Sequence, residues 1–313
     1  MYKWLSRRNK RFNIHIFRYP SCSRGFKVTV ISWNHGSSGI DCRKIIRKGL
    51  NPIPDVFVFA SSECGGTIPD VTNRTQPFGQ FIVFLKSSLS SDFILLHSSR
   101  IQGIGISIWI RKFKGLQANF KLIHSFRMDL SSEGTGRKGA TGAVILTGKE
   151  TLTFVSVHLN AHINGLSERI YQLRRLIDKS VRESPNGSTL FIMGDLNFRV
   201  ESVERDAFRS ALLGDVDELL LHDQLSKIMT NHGQVFEGWH EPEPPAFLPT
   251  YKVERNRFGF DIPSGRTPSY TDRVLVRNQP PLQVTTIEYS KSSDSYGSDH
   301  CPILARFIVS STL

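Results

Sequence analysis

The sequence is poor in cysteine, and the four it has indicate neither a disulfide framework nor a structural zinc site. They stand at positions 22, 42, 64 and 301, and no two of them form a C-x-x-C pair. No apolar run reaches the length of a membrane-spanning helix, and the basic first twenty residues lack the apolar segment of a secretory signal. These absences favour a reduced, intracellular setting, and we expect a cytoplasmic protein.

Signatures of several enzyme classes are missing as well. The sequence has no Walker A phosphate loop, no G-x-S-x-G nucleophile elbow and no protein-kinase motif set. It also lacks H-E-x-x-H, the helical histidine pair that binds zinc in many hydrolases. P-loop nucleotide hydrolysis, serine hydrolysis of the α/β type and zinc-dependent hydrolysis therefore have no support in the sequence.

Positive charge is plentiful. Lys and Arg number 40 against 28 Asp and Glu, a net charge of +12, while a hydrophobic content of 39% is that of a folded globular protein. Such a surface favours polyanionic partners, namely nucleic acid, an anionic membrane face or a phosphorylated small molecule, and charge alone does not choose among them. We interpret residues 1–25 as a basic extension and residues 26–313 as one domain.

Short apolar segments bounded by Gly, Ser, Pro and Asn dominate this domain. Those with strand character are 26–33, 55–61, 79–86, 105–111, 142–148, 152–159, 188–195, 273–277 and 302–309. Apolar residues at helical spacing predict helices at 167–181, 202–214 and 215–229. We therefore predict an α/β fold in which two mostly antiparallel sheets pack as a sandwich, with helices on the outside.

Polar side chains follow several of the predicted strands. In the segment MGDLNFRV, Asp195 and Asn197 come where a strand ends, and because side chains alternate along a strand we expect both on one side. A single Gly, Asp or Asn group of this kind would indicate only a turn, so the recurrence of the pattern is what points to a site. Its members are Asn34, Glu63, His158, Asp195, Asn197, Asp299 and His300.

These residue types suit phosphoryl transfer to water. That reaction uses a hard divalent cation, a group that orients or deprotonates the water, and donors for the phosphate oxygens. Mg²⁺ prefers oxygen ligands and keeps several waters, so the protein need supply only one or two carboxylates and an amide. Taken singly, Glu63 has the character of a solvated loop residue and His158 that of a core histidine.

The order of the motifs is more specific than any one of them. It reads W-N (33–34), S-E (62–63), G-R-K-G (136–139), S-V-H-L-N-A-H (156–162), G-D-L-N-F-R (194–199), P-T-Y-K (249–252), P-S-Y-T-D-R-V-L (268–275) and S-D-H-C-P-I (298–303). This series resembles the inositol polyphosphate 5-phosphatases. G-D-x-N and S-D-H are shared with the wider magnesium-dependent superfamily, which includes DNase I-like endonucleases, whereas the two P-x-Y segments are distinctive of 5-phosphatases.

The resemblance implies a four-layer DNase I-like fold and Mg²⁺-dependent removal of the 5-phosphate from phosphoinositides, soluble inositol polyphosphates or both. The catalytic residues that it implies are His158, Asp195, Asn197, Asp272 and His300. The metal ligands that it implies are Glu63, with Asn34 beside it, and Asp299. Asp272 would hold His300 in its tautomer, and whether Asp195 or His300 takes the proton of the attacking water stays open.

Cations at the rim of the site would recognise the phosphate next to the one cleaved. The residues that the resemblance assigns to this role are Lys138, Tyr251, Lys252 and Arg266. We expect the enzyme at an anionic membrane surface as a peripheral protein, and nucleic acid is not the expected partner. The apolar stretch 93–96 is interpreted as a buried strand rather than as a bilayer contact.

Four positions depart from the pattern of the 5-phosphatases. They are His35, Ser62, Arg137 and Ser264. None removes a predicted catalytic group, so we expect an active enzyme with substrate preference as the open point. The alternatives are a nuclease of the same superfamily, which the basic charge would also suit, and a catalytically inactive module that binds phosphoinositides.

Overall fold

The computed structural model describes residues 25–36, 41–64, 76–112, 119–131, 138–231, 236–255 and 257–311. The predicted basic extension, apart from its last residue, lies outside these ranges. Among the described residues, no helix is both long and apolar enough to cross a bilayer.

The first sheet contains six strands, numbered in chain order. They are β1 (Phe26–Asn34), β2 (Val56–Ser62), β3 (Phe93–Ile101), β4 (Ile104–Arg111), β11 (Leu282–Lys291) and β12 (Ile303–Ser311). Their order in the sheet is β11-β12-β1-β2-β4-β3. Only β1 and β2 run parallel within it, and every other neighbouring pair is antiparallel.

The second sheet has the same number of strands and the same mixture of directions. They are β5 (Phe120–Asp129), β6 (Gly139–Thr147), β7 (Glu150–His158), β8 (Thr189–Asp195), β9 (Trp239–His240) and β10 (Asp272–Arg277). Their order is β5-β6-β7-β8-β10-β9, with β7 and β8 parallel and the other pairs antiparallel. The prediction of two mostly antiparallel sheets is confirmed.

Helices lie outside the two sheets. They are α1 (Arg43–Gly49), α2 (Gln76–Ser88), α3 (Leu166–Glu183), α4 (Glu204–Leu213), α5 (Val216–Leu221) and α6 (Gln224–Asn231). Side chains such as Val58, Phe154 and Phe191 fill the core between the sheets. Leu173 of α3 packs on the outer face of the second sheet and Phe81 of α2 on that of the first, which gives the four layers of the predicted fold.

Two predicted elements are wrong. Segment 79–86 forms part of α2 rather than a strand, because its buried residues Phe78, Phe81 and Leu85 recur at helical spacing while Val83 is 69% exposed. The predicted helix 215–229 is two helices that meet at Asp223. β3 begins at Phe93, as interpreted from the sequence, but it is only half-buried.

Strand pairing decides where the polar strand ends lie. In the parallel pair β7 and β8 the carboxyl ends meet, so His158 lies opposite Asp195. The antiparallel strand β10 begins beside that point, so Asp272 also lies opposite Asp195. In the other sheet the parallel pair β1 and β2 places Asn34 opposite Ser62, directly before Glu63. One edge of the sandwich therefore gathers the predicted catalytic groups.

Candidate active site

Asp195 is the centre of the site. Its Oδ2 accepts a hydrogen bond of 2.8 Å from Asn34 Nδ2 and lies 3.3 Å from His158 Nε2, and its Oδ1 accepts from the Asn197 backbone N–H at 3.0 Å. Burial raises the pKa of this carboxyl to about 6, although the nearby positive charge of His300 opposes the shift. A held carboxylate that titrates close to neutral pH is suited to take a proton from water.

His300 forms the second half of the centre. Its Nδ1 donates to Asp272 Oδ2 at 2.8 Å, and its Nε2 lies 4.0 Å from Asp195 Oδ2. Burial by itself would lower the pKa of this imidazole, but the Asp272 carboxylate outweighs burial and raises it to about 9. The structure thus brings together the predicted pair of Asp272 and His300, and His300 is positively charged at neutral pH.

Asp272 is itself fixed by two hydroxyl groups. Thr250 Oγ1 donates to Asp272 Oδ2 at 2.7 Å, and Thr271 Oγ1 donates to the same oxygen at 2.9 Å. The carboxylate is buried completely. It therefore presents one oriented oxygen to His300 Nδ1 and holds the ring in a single orientation.

Lys138 lies deeper than predicted. We expected it at an exposed rim, but it is 7% exposed and its Nζ is 2.6 Å from His158 Nε2. Burial lowers the pKa of Lys138, while Asp195 and Glu63 oppose that shift. Burial and the Lys138 charge together hold the pKa of His158 well below its usual range. His158 is therefore neutral, and with the lone pair on Nε2 it accepts from Lys138 Nζ, which places a basic side chain inside the site.

Glu63 is the partly exposed carboxylate of the site. Its side chain is 25% exposed, and its Oε1 lies 3.4 Å from Asn34 Nδ2 and 4.0 Å from His158 Nε2. Asn34 directs its Nδ2 at both carboxylates, while its Oδ1 accepts from Gly36 N at 2.9 Å. To serve as the predicted metal ligand, the Asn34 amide would have to turn over.

Asp299 is anchored on the neighbouring loop. Its Oδ1 pairs with Arg255 Nη2 at 3.0 Å, and Arg255 Nη1 also donates to Gly36 O at 2.8 Å. This ion pair joins the loop after β1 to the segment before His300. The contacts of Asp299 are thus with Arg255, and its role as a metal ligand stays a prediction.

The turn after β8 places Asn197 by a different route from the one predicted. β8 ends at Asp195, and Asn197 has a left-handed φ of 55°, so strand alternation does not explain its direction. Its Nδ2 donates to Leu159 O at 3.1 Å, and its Oδ1 accepts from Arg199 Nη2 at 2.5 Å. Gly194 permits the close approach of the strands here, because a Cβ on it would lie 1.9 Å from Val157 O.

Tyr251 packs between His300 and Arg199 in the wall of the site. Its ring centre lies 4.6 Å from that of His300 and 4.5 Å from the Arg199 guanidinium, and the residue is 8% exposed. Lys252 pairs with Asp261 at 2.7 Å and is partly exposed, while Arg266 is exposed. Of the four predicted substrate contacts, Lys252 and Arg266 therefore lie at the rim.

The site contains basic groups that the sequence analysis did not single out. Arg199 belongs to the G-D-L-N-F-R motif and connects Asn197 with Tyr251. His162 is exposed at the mouth, where burial and the charges of Arg266, Arg199, Lys138 and Arg169 lower its pKa. His162 is therefore a neutral donor, and the nearby basic residues Arg199 and Arg266 give the mouth a positive potential, which suits a ligand with more than one phosphate.

Arg169 holds the loop that carries His162. This buried guanidinium donates to Asn160 O at 3.3 Å, to His162 O at 2.5 Å and to Gln224 Oε1 at 2.6 Å. The same Gln224 oxygen accepts from Arg199 N at 3.0 Å. A signal was present in the sequence, because Arg169 shares the buried face of α3 with apolar residues one and two turns later.

The four departures from the family pattern differ in position. His35 packs between the rings of Trp33 and Phe81, at 4.1 and 4.8 Å, and burial lowers its pKa to about 3, so it is a neutral core residue. Ser62 lies behind the site with its hydroxyl 3.5 Å from Val157 O. Ser264 hydrogen-bonds within its own turn. Arg137 lies outside the described residues.

The two six-stranded sheets with flanking helices form a DNase I-like fold. The inositol polyphosphate 5-phosphatase domain of SPsynaptojanin, solved with inositol (1,4)-bisphosphate and a calcium ion, shares it with a TM-score of 0.74 at 22% identity, covering 92% of this chain and 86% of that one. The chain belongs to the endonuclease/exonuclease/phosphatase family 2, whose model matches residues 31–306.

Two relatives extend this comparison. The chain is 24% identical over 323 residues to phosphatidylinositol 4,5-bisphosphate 5-phosphatase A of Mus musculus, covering 93% of this chain but only 32% of that longer protein. It is 34% identical over 285 residues to nitrophorin Cim l NP of Cimex lectularius, covering 90% of each chain. A solved ferrous NO complex of Cimex nitrophorin has the same fold, with a TM-score of 0.72 at 22% identity over 91% of this chain and 98% of that one. The predicted resemblance to the 5-phosphatases is confirmed.

Proposed function

We propose that this protein is a metal-dependent phosphatase that hydrolyses the 5-phosphate of phosphoinositides such as phosphatidylinositol 4,5-bisphosphate, of soluble inositol polyphosphates, or of both. The observation that carries the proposal is the close approach of two buried groups that carry opposite charges near neutral pH. Asp195 has a pKa raised to about 6 and His300, whose Nε2 is 4.0 Å away, has a pKa raised to about 9. Near neutral pH one is a base and the other a cation, as phosphate hydrolysis requires.

The charges support Asp195 as the group that takes the proton. His300 already carries its second proton at neutral pH, so it has no lone pair for water. Asp195 is held by Asn34 and by the Asn197 amide, which orients its carboxylate. In the proposed reaction the water gives a proton to Asp195, its oxygen attacks phosphorus, and the bond to the inositol 5-oxygen breaks. That oxygen takes a proton from solvent water to become the alcohol, and Asp195 then returns its proton to solvent. His300 stabilises negative charge on the phosphoryl oxygens.

The residues present fit Mg²⁺ as the cofactor. Among the described residues no three His, Cys, Asp or Glu side chains form a ready metal cage. Mg²⁺ does not need one, because it usually keeps several waters and takes one or two carboxylates. Glu63 is the partly exposed carboxylate beside Asp195 and would hold the ion. When bound there, Mg²⁺ would supply positive charge for the phosphate oxygens.

Recognition of the neighbouring phosphate is proposed to rest on the cationic mouth. Lys252, Arg266 and His162 border it, and Lys138 and Arg199 lie further in. Arginine and lysine bind phosphate by strong charge-assisted hydrogen bonds. The names of the relatives support a phosphoinositide or inositol phosphate as the ligand of this mouth.

Phosphate release tests the proposal. The substrates are phosphatidylinositol 4,5-bisphosphate in vesicles and soluble inositol 1,4,5-trisphosphate, each assayed with Mg²⁺ and with EDTA, with Asp195→Asn as the control. Metal-dependent release that the variant lacks would support the phosphatase. The ratio of the two rates would divide lipid from soluble specificity. Release that persists in EDTA or in the variant would contradict the proposed roles.

Absence of release from both substrates would direct attention to the alternatives. Nicking of supercoiled plasmid DNA with Mg²⁺ would indicate a superfamily nuclease. Retention on phosphoinositide vesicles without any turnover would indicate a binding module.

A second candidate function is binding of ferrous iron and NO. It is favoured by the 34% identity to the Cimex nitrophorin, which extends over 90% of both chains. Carboxylate ligands such as Glu63 suit Mg²⁺ better than a redox metal centre, which is why the phosphatase comes first. The iron content and visible absorption of the purified protein, before and after reduction and addition of NO, distinguish the two. A stoichiometric iron chromophore together with no phosphate release would replace the phosphatase proposal.

A further inference from the structure

An apolar patch lies on the outer face of α4, beside the segment that borders the active-site mouth. It comprises Val203, Leu212, Leu213 and Ile262, which are 68%, 65%, 72% and 50% exposed. We call these four residues the α4 surface. Together with Arg205, Arg209 and the partly buried edge of Phe208 they line an open groove of about 860 Å³. Contiguous exposed apolar residues of this kind mark interaction sites rather than ordinary surface.

The patch is not an accident of an underfilled core. The inner face of α4 already packs Ala207, Phe208 and Ala211 against the rest of the domain. Leu212 and Leu213 are therefore additional to the core and face outward. A solvated helix of a soluble domain normally has polar residues there.

The α4 surface is continuous with the mouth of the site. Ile262 follows Asp261, which pairs with the rim residue Lys252, and Arg266 is four residues further on. The turn that contains Ile262 contacts the start of α4, because a Cβ on Gly265 would lie 3.7 Å from the Glu204 carboxylate. A flat partner that covers the α4 surface would therefore be adjacent to the mouth.

Charge and exposure favour an anionic lipid bilayer as that partner. Arg205 and Arg209 are exposed on α4, and Arg257 is 81% exposed on the loop before Ile262. Phe258, next to Arg257, is 86% exposed. Glu204 lines the groove as well, and Asp206 lies 3.8 Å from Arg205, but the whole chain carries a net charge of +12. Exposed aliphatic and aromatic residues flanked by arginines are the composition of an interfacial membrane contact.

We infer that the α4 surface docks on anionic membranes and thereby holds the active-site mouth against the headgroup layer. The inference deepens the proposed function and rests on it only where turnover of a lipid substrate is concerned. Membrane docking itself is a separate property, which binding measures without any turnover.

The first experiment measures binding of the full chain to vesicles by co-sedimentation. Neutral phosphatidylcholine vesicles are compared with vesicles in which about a third of the lipid is phosphatidylserine. The test variant is Leu212→Ser/Leu213→Ser, and the matched control is Val83→Ser/Ile287→Ser, which changes two exposed apolar residues on other elements. We expect the test variant to lose about tenfold or more in partition to the anionic vesicles, because leucines that enter the bilayer each contribute strongly. The control should bind as the unmodified protein does.

A second variant separates the contribution of the arginines to membrane binding from that of the leucines. Arg205→Ser/Arg209→Ser should weaken binding to the anionic vesicles several-fold, leave the weak binding to neutral vesicles unchanged, and lose its effect at high salt. Equal binding by the leucine variant and its control would overturn the inference. So would failure of the unmodified protein to bind either vesicle, in which case a protein partner would be the remaining explanation for the patch.

Turnover provides the second readout. With phosphatidylinositol 4,5-bisphosphate in anionic vesicles the leucine variant should be slower by the same factor as its binding, whereas its rate on soluble inositol 1,4,5-trisphosphate should not change. Equal losses on both substrates would mean damage to the fold and would contradict docking. If the unmodified protein released no phosphate from either substrate, the proposed function would fail while the binding comparison still decided the inference.

Discussion

Two buried ionic clusters lie on opposite sides of a single dipeptide in β10. Asp272 lies on the side of His300, Asp195 and His158, and we call these four residues the catalytic cluster. The side chain of Arg273 points to the opposite face of the sheet. Arg273 Nη1 donates to Asp223 at 2.9 Å, and its Nε and Nη2 donate to Glu241. We call Arg273, Asp223 and Glu241 the arginine cluster. Side-chain alternation along the strand separates the two.

Both clusters combine buried carboxylates with basic side chains, but one supports the fold and the other the proposed chemistry. In the arginine cluster one cation faces two carboxylates, and although burial would lower the pKa of Arg273, the two carboxylates raise it well above its usual range. Burial raises the pKa of Glu241 as well, and the neighbouring Arg273 charge opposes that shift. In the catalytic cluster the pKa of Asp195 is raised to about 6 and the partly exposed Glu63 is next to it. Buried ion pairs serve the fold, whereas a buried carboxylate with a raised pKa beside the partly exposed Glu63 is available for chemistry.

Removing the Asp195 carboxylate should have the largest effect on rate. Asp195→Asn should lower kcat by roughly two to four orders of magnitude, the range of a general base. It should not lower Tm at about pH 7.5, because a raised pKa means that ionised Asp195 costs stability as pH rises through its folded pKa, and the amide has no such cost. Steady-state kinetics and thermal unfolding check the two halves. A large drop in Tm would mean that Asp195 serves the fold.

Breaking the arginine cluster should have the opposite effect, a large loss of stability with little loss of activity. Arg273→Met leaves two buried carboxylates without their cation and should lower the free energy of unfolding by about 3–5 kcal/mol. The folded fraction should keep most of its activity. Denaturant unfolding measures the free energy of unfolding, and the rate per folded molecule measures the remaining activity. The matched control, Arg273→Met/Asp223→Asn/Glu241→Gln, removes all three charges and should recover much of the loss.

The pH profile should separate the partners within the catalytic cluster. Activity requires ionised Asp195 and protonated His300, so kcat/KM should rise through about pH 6 and fall through about pH 9. A cation at Glu63 would move the acidic limb downward, which makes the alkaline limb the cleaner measurement. Asp272→Asn removes the charge that raises the His300 pKa, so that limb should move down by more than one pH unit. An unchanged alkaline limb would exclude His300 as its origin.

The smallest effect is expected at the rim. Lys252→Ala should raise KM about tenfold for substrates with a phosphate next to the one cleaved and leave kcat nearly unchanged. The effect is small because the ion pair with Asp261 already neutralises part of the Lys252 charge. Substrates without that neighbouring phosphate are the internal control. Equal losses on all substrates would place Lys252 in the structure of the loop instead.

The sequence predicted the layers of the fold and the edge at which the site lies, because strand ends with Asn34, Glu63, His158 and Asp195 are visible as local patterns. It could not predict how deeply each site residue is buried. Lys138 was expected at the rim, yet its contact with His158 follows from the pairing of β6 with β7, which sets the next residue, Gly139, opposite His158, a nonlocal property. The run at 79–86 was assigned to a strand because continuous apolar residues suit either element, and only the packing of Phe81 and Leu85 decides.

Asn197 illustrates a correct residue with a wrong reason. It was selected because alternate strand positions share a face, but the strand ends two residues earlier and a left-handed turn directs its amide to Leu159 and Arg199. The turn forms where Gly194 of β8 lies close against β7. This contact joins residues far apart in the chain, so no single stretch of sequence reveals it.

The carboxamide oxygen of Gln224 has a consequence for motion. It receives one hydrogen bond from Arg169, which grips the loop after β7, and one from the backbone of Arg199 in the loop after β8. The two walls of the mouth are thus clamped to the same atom at the start of α6. They should move as one rigid body, with a common exchange rate in relaxation-dispersion experiments, and Gln224→Ala should split that rate into two.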